Sequence, residues 1–268
     1  MSLINKMNSR KHPIHLTLLF CGLYLNASCF GAEHLDHELS VAAGIASPSE
    51  TSSVFQNPAG LVFENKTAVS LMTAFPTNSL TYPILEGGIY TGNGNLGASL
   101  GIEKPTVAGN SSSLYYGFGF LIPNISSSFG ISGTTSFNGG SAFNLGALFG
   151  TFEKFRVGAT VRDFTSSGRE WGIGMNYDFS TDASFVLDAS LDNSFGNPWL
   201  EPALVLRASS AAFTLGYGFA VTSGNSYYSS QIADGFAAGL SIKFSQNLNF
   251  QAYYQQLSHY LFELTILF

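Results

Sequence analysis

The chain has 268 residues, of which only 10% are charged and 14% are aromatic, and its formal net charge at pH 7 is −6. A soluble globular protein carries roughly 25% charged residues, and an acidic chain without basic clusters is a poor partner for nucleic acid, so both classes are disfavoured. No uninterrupted apolar run after residue 32 approaches the roughly 18 residues of a membrane-spanning helix, which leaves closed strands as the way for such a chain to live in lipid.

At the N-terminus, Lys6, Arg10 and Lys11 form a basic region ahead of Leu16–Leu25, an apolar run of ten residues. That run is too short to span a bilayer as a helix and suits a secretory signal. Cys29 and Gly31 fall at −3 and −1 of a cut after Gly31, so residues 1–31 are expected to be a signal peptide. A lipoprotein reading would acylate Cys29, but Asn26 stands where that signal wants an aliphatic residue. Cys21 and Cys29 both precede the expected cut, so the processed chain would have no thiol and no disulfide. It would hold 11 − 3 = 8 basic residues against 17 acidic ones, a net charge of −9.

Residues 32–66 differ in character from the strand-rich remainder of the chain. Glu33–Glu38 is polar and acidic, Val41–Ser47 is rich in small residues, and no long period runs through the segment. Asn57-Pro58-Ala59-Gly60 reads as a turn: Asn57 can close an Asx-type turn, Pro58 fixes φ and removes a donor, and Gly60 permits φ > 0. A rigid kink just before the first strand would fold residues 32–66 back as a plug; the alternative is a structural turn at the barrel mouth with no gating role. His34 and His37 are three apart and could meet a metal on one helical turn, but no third ligand accompanies them, so neither a metal nor a cofactor is expected.

From Thr67 onward, period-two alternation predicts strands at about 67–75, 83–92, 96–103, 113–122, 125–136, 141–152, 155–164, 170–179, 183–191, 201–208, 211–221, 235–244, 248–256 and 259–268. That makes fourteen, or twelve if 83–92 or 201–208 is a loop. In the clearest, Trp171, Ile173, Met175, Tyr177 and Phe179 share one face while Gly172, Gly174, Asn176 and Asp178 share the other. The links at 93–95, 123–124, 153–154, 180–182, 209–210 and 245–247 are short and all fall at one end. Those at 104–112, 192–200 and 222–234 fall at the other end and are longer. Short turns at one end and longer loops at the other suit an outer-membrane barrel. A soluble many-stranded sandwich would also alternate, but it would not force this parity of loop length. The fold expected is therefore all-β: a transmembrane antiparallel barrel of about 14 strands over residues 67–268, preceded by an N-terminal plug. Large side chains would meet lipid, and Trp171, Phe179, Tyr260 and Phe268 could form interfacial girdles.

The last strand places Tyr260, Phe262, Leu264, Ile266 and Phe268 on one face. It resembles the terminal strand of bacterial outer-membrane proteins, where an alternating segment ending in Phe is read by the barrel assembly machinery. That resemblance makes Phe268 the assembly signal, the assembly machinery and outer-membrane lipid the partners, and the bacterial outer membrane the location.

By strand parity Arg156 and Arg162 share a face with Gly158 and Thr160, and Lys243 shares one with Ala237, Gly239 and Ser241. All three cations should point inward, either to meet a ligand carboxylate or to pair with inward acids such as Asp178 and Asp188. Ser258 and His259 are adjacent, but neighbours in a strand face opposite ways and cannot readily form a nucleophile–base pair, so no catalytic residue is expected. No phosphate-cradling loop or dinucleotide fingerprint is present, and Gly87-Gly88 and Gly139-Gly140 read as strand kinks or turns.

The stretch Ser53–Leu61, with Asn57-Pro58-Ala59 after Val41–Ser47 and about eight residues before the first strand, resembles the long-chain fatty acid transporter family of outer-membrane proteins. In that family an Asn-Pro-Ala motif lies in a hatch that plugs a fourteen-stranded barrel. The resemblance covers residues 40–75 by motif and the rest by architecture. This chain is shorter than that family's, and its brief loops would reduce an external docking platform. The function implied is passive uptake of a hydrophobic small molecule, a long-chain fatty acid or an aromatic hydrocarbon. The alternatives are a secretion-associated or structural barrel without its own cargo, since similar Asn-Pro-Ala-Gly segments occur in barrels serving a secretion system, and a simple porin.

Overall fold

The computed structural model describes residues 44–48, 53–63, 65–76, 84–105, 111–150, 154–165, 169–195, 198–221, 235–255 and 259–268. The expected signal peptide 1–31, the acidic stretch with His34 and His37, and Ser258 lie outside these residues.

Fourteen antiparallel strands close into a single barrel in which sequence neighbours pair and the last strand meets the first. They are β1 (Ala68–Pro76), β2 (Ile84–Gly92), β3 (Leu96–Pro105), β4 (Ser113–Ile122), β5 (Ser127–Ser136), β6 (Ser141–Phe149) and β7 (Phe155–Arg162), followed by β8 (Glu170–Asp178), β9 (Ala183–Leu191), β10 (Trp199–Arg207), β11 (Ala211–Ala220), β12 (Gly235–Ser245), β13 (Leu248–Gln255) and β14 (His259–Leu267). Both segments whose strand character was open, at β2 and β10, are laddered on each side, so the count is fourteen rather than twelve. Closure removes the unpaired edges that lipid cannot solvate.

Three local expectations need correction. β5 begins at Ser127 rather than 125, because Pro123–Ile125 form a 3-10 turn ended by Ser126 at φ 46, whose N–H donates to Pro123 O at 3.2 Å. β6 ends at Phe149 rather than 152, where Gly150 takes φ 69. Gly87-Gly88 is not a kink, since β2 keeps register with both neighbours through it. Gly139-Gly140 is a turn as expected, at φ 101 and 95.

The connections 93–95, 123–126, 150–154, 179–182, 208–210 and 246–247 share the end at which β1 begins and Phe268 stops. The opposite end has the longer 77–83, 106–112, 163–169, 192–198 and 221–234, together with two connections as short as turns, 137–140 and 256–258.

The two faces separate as the alternation predicts. Leu71, Leu100, Phe118, Ile173, Leu215, Phe236 and Phe262 are exposed on the outside, whereas Ser70, Ser99, Thr134, Asn144, Thr160, Asn176 and Thr265 are buried inside. Tyr260, Phe262, Leu264, Ile266 and Phe268 all lie exposed on the outer side. A continuous apolar exterior around a small polar interior inverts the soluble arrangement and is the surface lipid requires. At the seam, β1 and β14 pair from Ala68↔Leu267 to Pro76↔His259. Inside that joint Ser70 Oγ and Thr265 Oγ1 both donate to Glu263 Oε1, at 2.7 and 2.9 Å. The N–H of Phe268 donates to Thr67 O at 2.8 Å, which ties the chain end to the start of the barrel.

Candidate functional site

The segment ahead of β1 lies against the inner wall. Its described parts are a turn at Gly44–Pro48, a one-turn helix α1 (Ser53–Gln56) and a 3-10 segment (Pro58–Phe63). Nearly every side chain in it is buried: Val54, Phe55, Ala59, Leu61 and Val62 among the apolar ones, Ser53, Gln56 and Asn57 among the polar. So short a helix has no stability of its own, and packing against the wall holds it in place. Val54, Phe55 and Leu61 cluster with Ala68 of β1, Tyr90 of β2 and Tyr115 of β4. The Phe55 ring meets Tyr115 edge-on at 5.0 Å, and the Tyr115 and Tyr90 hydroxyls are 3.2 Å apart.

The wall is shaped to receive this backbone. Gly97, Gly119, Gly130 and Gly146 are direct cross-strand neighbours in one row over β3, β4, β5 and β6. A Cβ at Gly97 would lie 1.8 Å from Leu61 O, at Gly130 2.2 Å from the Pro58 carbonyl carbon, and at Gly146 2.0 Å from Asn57 Oδ1. Gly158 of β7 and Gly174 of β8 form a second paired row beneath Ile45 and Ala46. Six strands in succession thus give up their inward side chains where the plug backbone needs the space.

Asn57 joins the parts. Its Nδ2 donates to Ile45 O at 2.8 Å and to Ala147 O of β6 at 3.1 Å, and its Oδ1 accepts the Ala59 N–H at 3.2 Å. The expected Asx-type turn is present, and the same amide also fixes the first turn of the plug and docks both to the wall. Gly60 has no positive φ, contrary to expectation. Its missing Cβ instead leaves room for the Pro48 ring, which a Cβ would approach to 2.3 Å. Two further ties reach the wall: Ser132 Oγ of β5 donates to Val54 O, and both carboxylate oxygens of Asp188 on β9 accept the Ile45 N–H at 3.0 and 2.9 Å. The motif therefore lies within the lumen, a few residues in from the short-turn end, and not as a free turn at the mouth.

The three cations singled out by parity are not brought together. Arg156 faces inward near the short-turn end, where Nη2 donates to Asn176 Oδ1 at 2.7 Å and Asp178 Oδ2 at 2.9 Å. Arg162 ends β7 at the long-loop end and pairs with its cross-strand neighbour Glu170 at 2.5 Å, both nearly buried. Lys243 sits exposed at the short-turn rim, beside the register shift between Lys243 and Ser245. Of the acids expected to staple these cations, Asp178 does so, whereas Asp188 is taken by the plug. Reasoning from the sequence missed Glu170, Glu201, Glu263 and the glycine rows. Glu201 lies directly opposite Asp188 across the β9–β10 pair, and strand parity alone could have placed both inside.

Apolar side chains also reach the lumen. Val186, Ala203, Val205 and Ala237 form a buried cluster on β9, β10 and β12, and Met72, Ala74 and Leu261 form another across the β1–β14 seam. Among the described residues no group of three or more His, Cys, Asp and Glu side chains is arranged to hold a metal.

No family model matches the sequence, and no curated protein matches it. Among solved structures the chain is similar to the toluene transporter TbuX of Ralstonia pickettii, with 11% identity and a TM-score of 0.55 over 86% of this chain and 96% of that one. Two triple mutants of the Rhodopseudomonas blastica porin match at 8% and 9% identity, each with a TM-score of 0.48 over 76% of this chain and 99% of theirs. At that score the porin likeness carries no argument. The TbuX likeness establishes the fold, a closed membrane-spanning barrel, and nothing finer.

Proposed function

We propose that this protein is an outer-membrane barrel that lets hydrophobic small molecules cross passively, with residues 44–63 as a displaceable plug, and that it belongs with the long-chain fatty acid transporter-like barrels. The observation that carries the reading is the seating of the Gly44–Pro48 turn and the Asn57 segment across glycine rows on six successive strands, beside buried apolar clusters on the remaining wall. A water-filled pore needs neither feature. A lipid-like cargo gains roughly 0.8 kcal/mol for each CH₂ it buries and needs no continuous water column. The contacts holding the plug are a few hydrogen bonds of about 1 kcal/mol each and short apolar patches, a scale that cargo burial can match.

On this reading the protein is not an enzyme, its partners are outer-membrane lipid, the cargo and the barrel assembly machinery, and Phe268 serves assembly. The test is transport by the refolded protein in lipid vesicles. Barrel-containing vesicles should take up a neutral hydrophobic dye several times faster than empty ones, without swelling in isotonic sugar. Rapid swelling with no gain in dye uptake would point to a porin instead.

A further inference from the structure

We propose that the long-loop half of the lumen turns away ligands bearing a carboxylate, so that the cargo is a hydrophobic molecule without an anionic group. The inference rests on the hydrophobic-cargo reading above and narrows it.

An anionic ligand needs a cation with a face to spare. Arg162 stands where incoming cargo would meet it, but its Nη1 is 2.5 Å from Glu170 Oε1, and the two side chains are only 9% and 7% exposed. Asp188 and Glu201 oppose one another on β9 and β10, in the same long-loop half of the lumen as the Arg162–Glu170 pair. The ion pair is thus joined there by two further acids. A carboxylic acid is neutral or negative and never positive, so with the Arg162–Glu170 pair intact these four side chains together present zero or negative charge in every protonation state of Asp188 and Glu201. Arg156 offers no substitute, because Asn176 and Asp178 hold it near the short-turn end.

A ligand carboxylate entering this region would lose water and gain no opposite charge, a penalty that apolar burial of its tail must overcome. The same walls carry Val186, Ala203 and Val205, which favour an apolar body. An alcohol, alkane or aromatic ring meets the attraction without the penalty.

The test uses the full barrel in nanodiscs, loaded with the neutral fluorescent probe 1-N-phenylnaphthylamine and read against empty nanodiscs. Hexadecanol and palmitate, which share one chain length, compete for the probe at pH 7. Hexadecanol should displace it at a concentration at least about tenfold lower than palmitate, a difference of about 1.4 kcal/mol. In the isosteric Glu170→Gln/Glu201→Gln variant, which releases Arg162 from its carboxylate partner and keeps the Asp188 hold on the plug, palmitate should gain at least about tenfold while hexadecanol changes little. Unchanged hexadecanol competition also reports that the variant has folded; if it has not, the wild-type comparison still decides. Palmitate competing as well as hexadecanol would overturn the inference and leave the hydrophobic-cargo reading standing. Absence of any specific probe binding would overturn both.

Discussion

The Ile45 amide N–H is held by both carboxylate oxygens of Asp188, at 3.0 and 2.9 Å, across 143 residues of sequence. This bond ties the first described turn of the plug to β9, three strands along the wall from the β6 carbonyl that Asn57 meets, so the segment is held at two places. Removing the acceptor leaves a buried donor unsatisfied, at a cost of about 1–3 kcal/mol. In Asp188→Ala, amide exchange at Ile45 and through Ser53–Phe63 should speed up by tenfold or more, while the β1–β14 ladder keeps its protection. Equal exchange in wild type and variant would show that the clamp does not hold the plug.

The glycine row makes a steric prediction. A Cβ at Gly130 would fall 2.2 Å from the carbonyl carbon of Pro58, which is backbone and cannot yield like a flexible side-chain tip. Gly130→Val should unseat the plug and expose residues 53–63 to protease, with little loss of barrel stability. Ala98→Val, on the outer face of β3, should leave protease resistance unchanged. Limited proteolysis of the two refolded variants decides the matter.

How much of this was legible beforehand differs from element to element. The strands were, because lipid outside and a packed lumen inside impose a strict period of two, as in Trp171–Asp178, where Ile173 and Tyr177 are exposed and Gly172, Gly174 and Asn176 are buried. Inward placement of Arg156 and Arg162 follows from the same parity. The plug's docking does not. Ile45 meets Asp188 through a backbone N–H that any residue carries, so nothing in the letters marks the pair. The glycine rows were present in the sequence but scattered over β3 to β8, and only the register of neighbouring strands aligns them. Gly60 shows how a plausible local rule can name the wrong cause: it reads as a residue for positive φ, yet the approach of Pro48 is what excludes a side chain.

At the seam, Glu263 accepts from Ser70 and Thr265 and so links the first and last strands from within. Glu263→Ala strands two buried hydroxyls and should cost about 2–4 kcal/mol, whereas Glu263→Gln keeps an acceptor and should cost about half that or less. Urea unfolding in lipid, followed by the fluorescence of the barrel tryptophans, measures both. Loss of equal size in the two variants would show that the seam depends on the charge of Glu263 and not on its hydrogen bonds.

Immersion in lipid predicts a depth dependence. Leu215 lies midway along β11 and is exposed on the outer face, while Val221 just follows that strand. Leu215→Arg should destabilise the folded barrel by about 2–4 kcal/mol and Val221→Arg by about 0–1 kcal/mol, since the cost falls from the bilayer midplane to its surface. Equal effects at the two positions would argue against a lipid-facing β11.

On the proposed reading the chain's own N-terminal segment closes the lumen, so that cargo passes by displacing it and not through standing water. Ion conductance of the refolded wild-type barrel in a planar bilayer tests this most directly. The expected trace shows no steady open level, with at most brief openings when a hydrophobic ligand is added. A stable ohmic conductance in the absence of ligand would contradict the account.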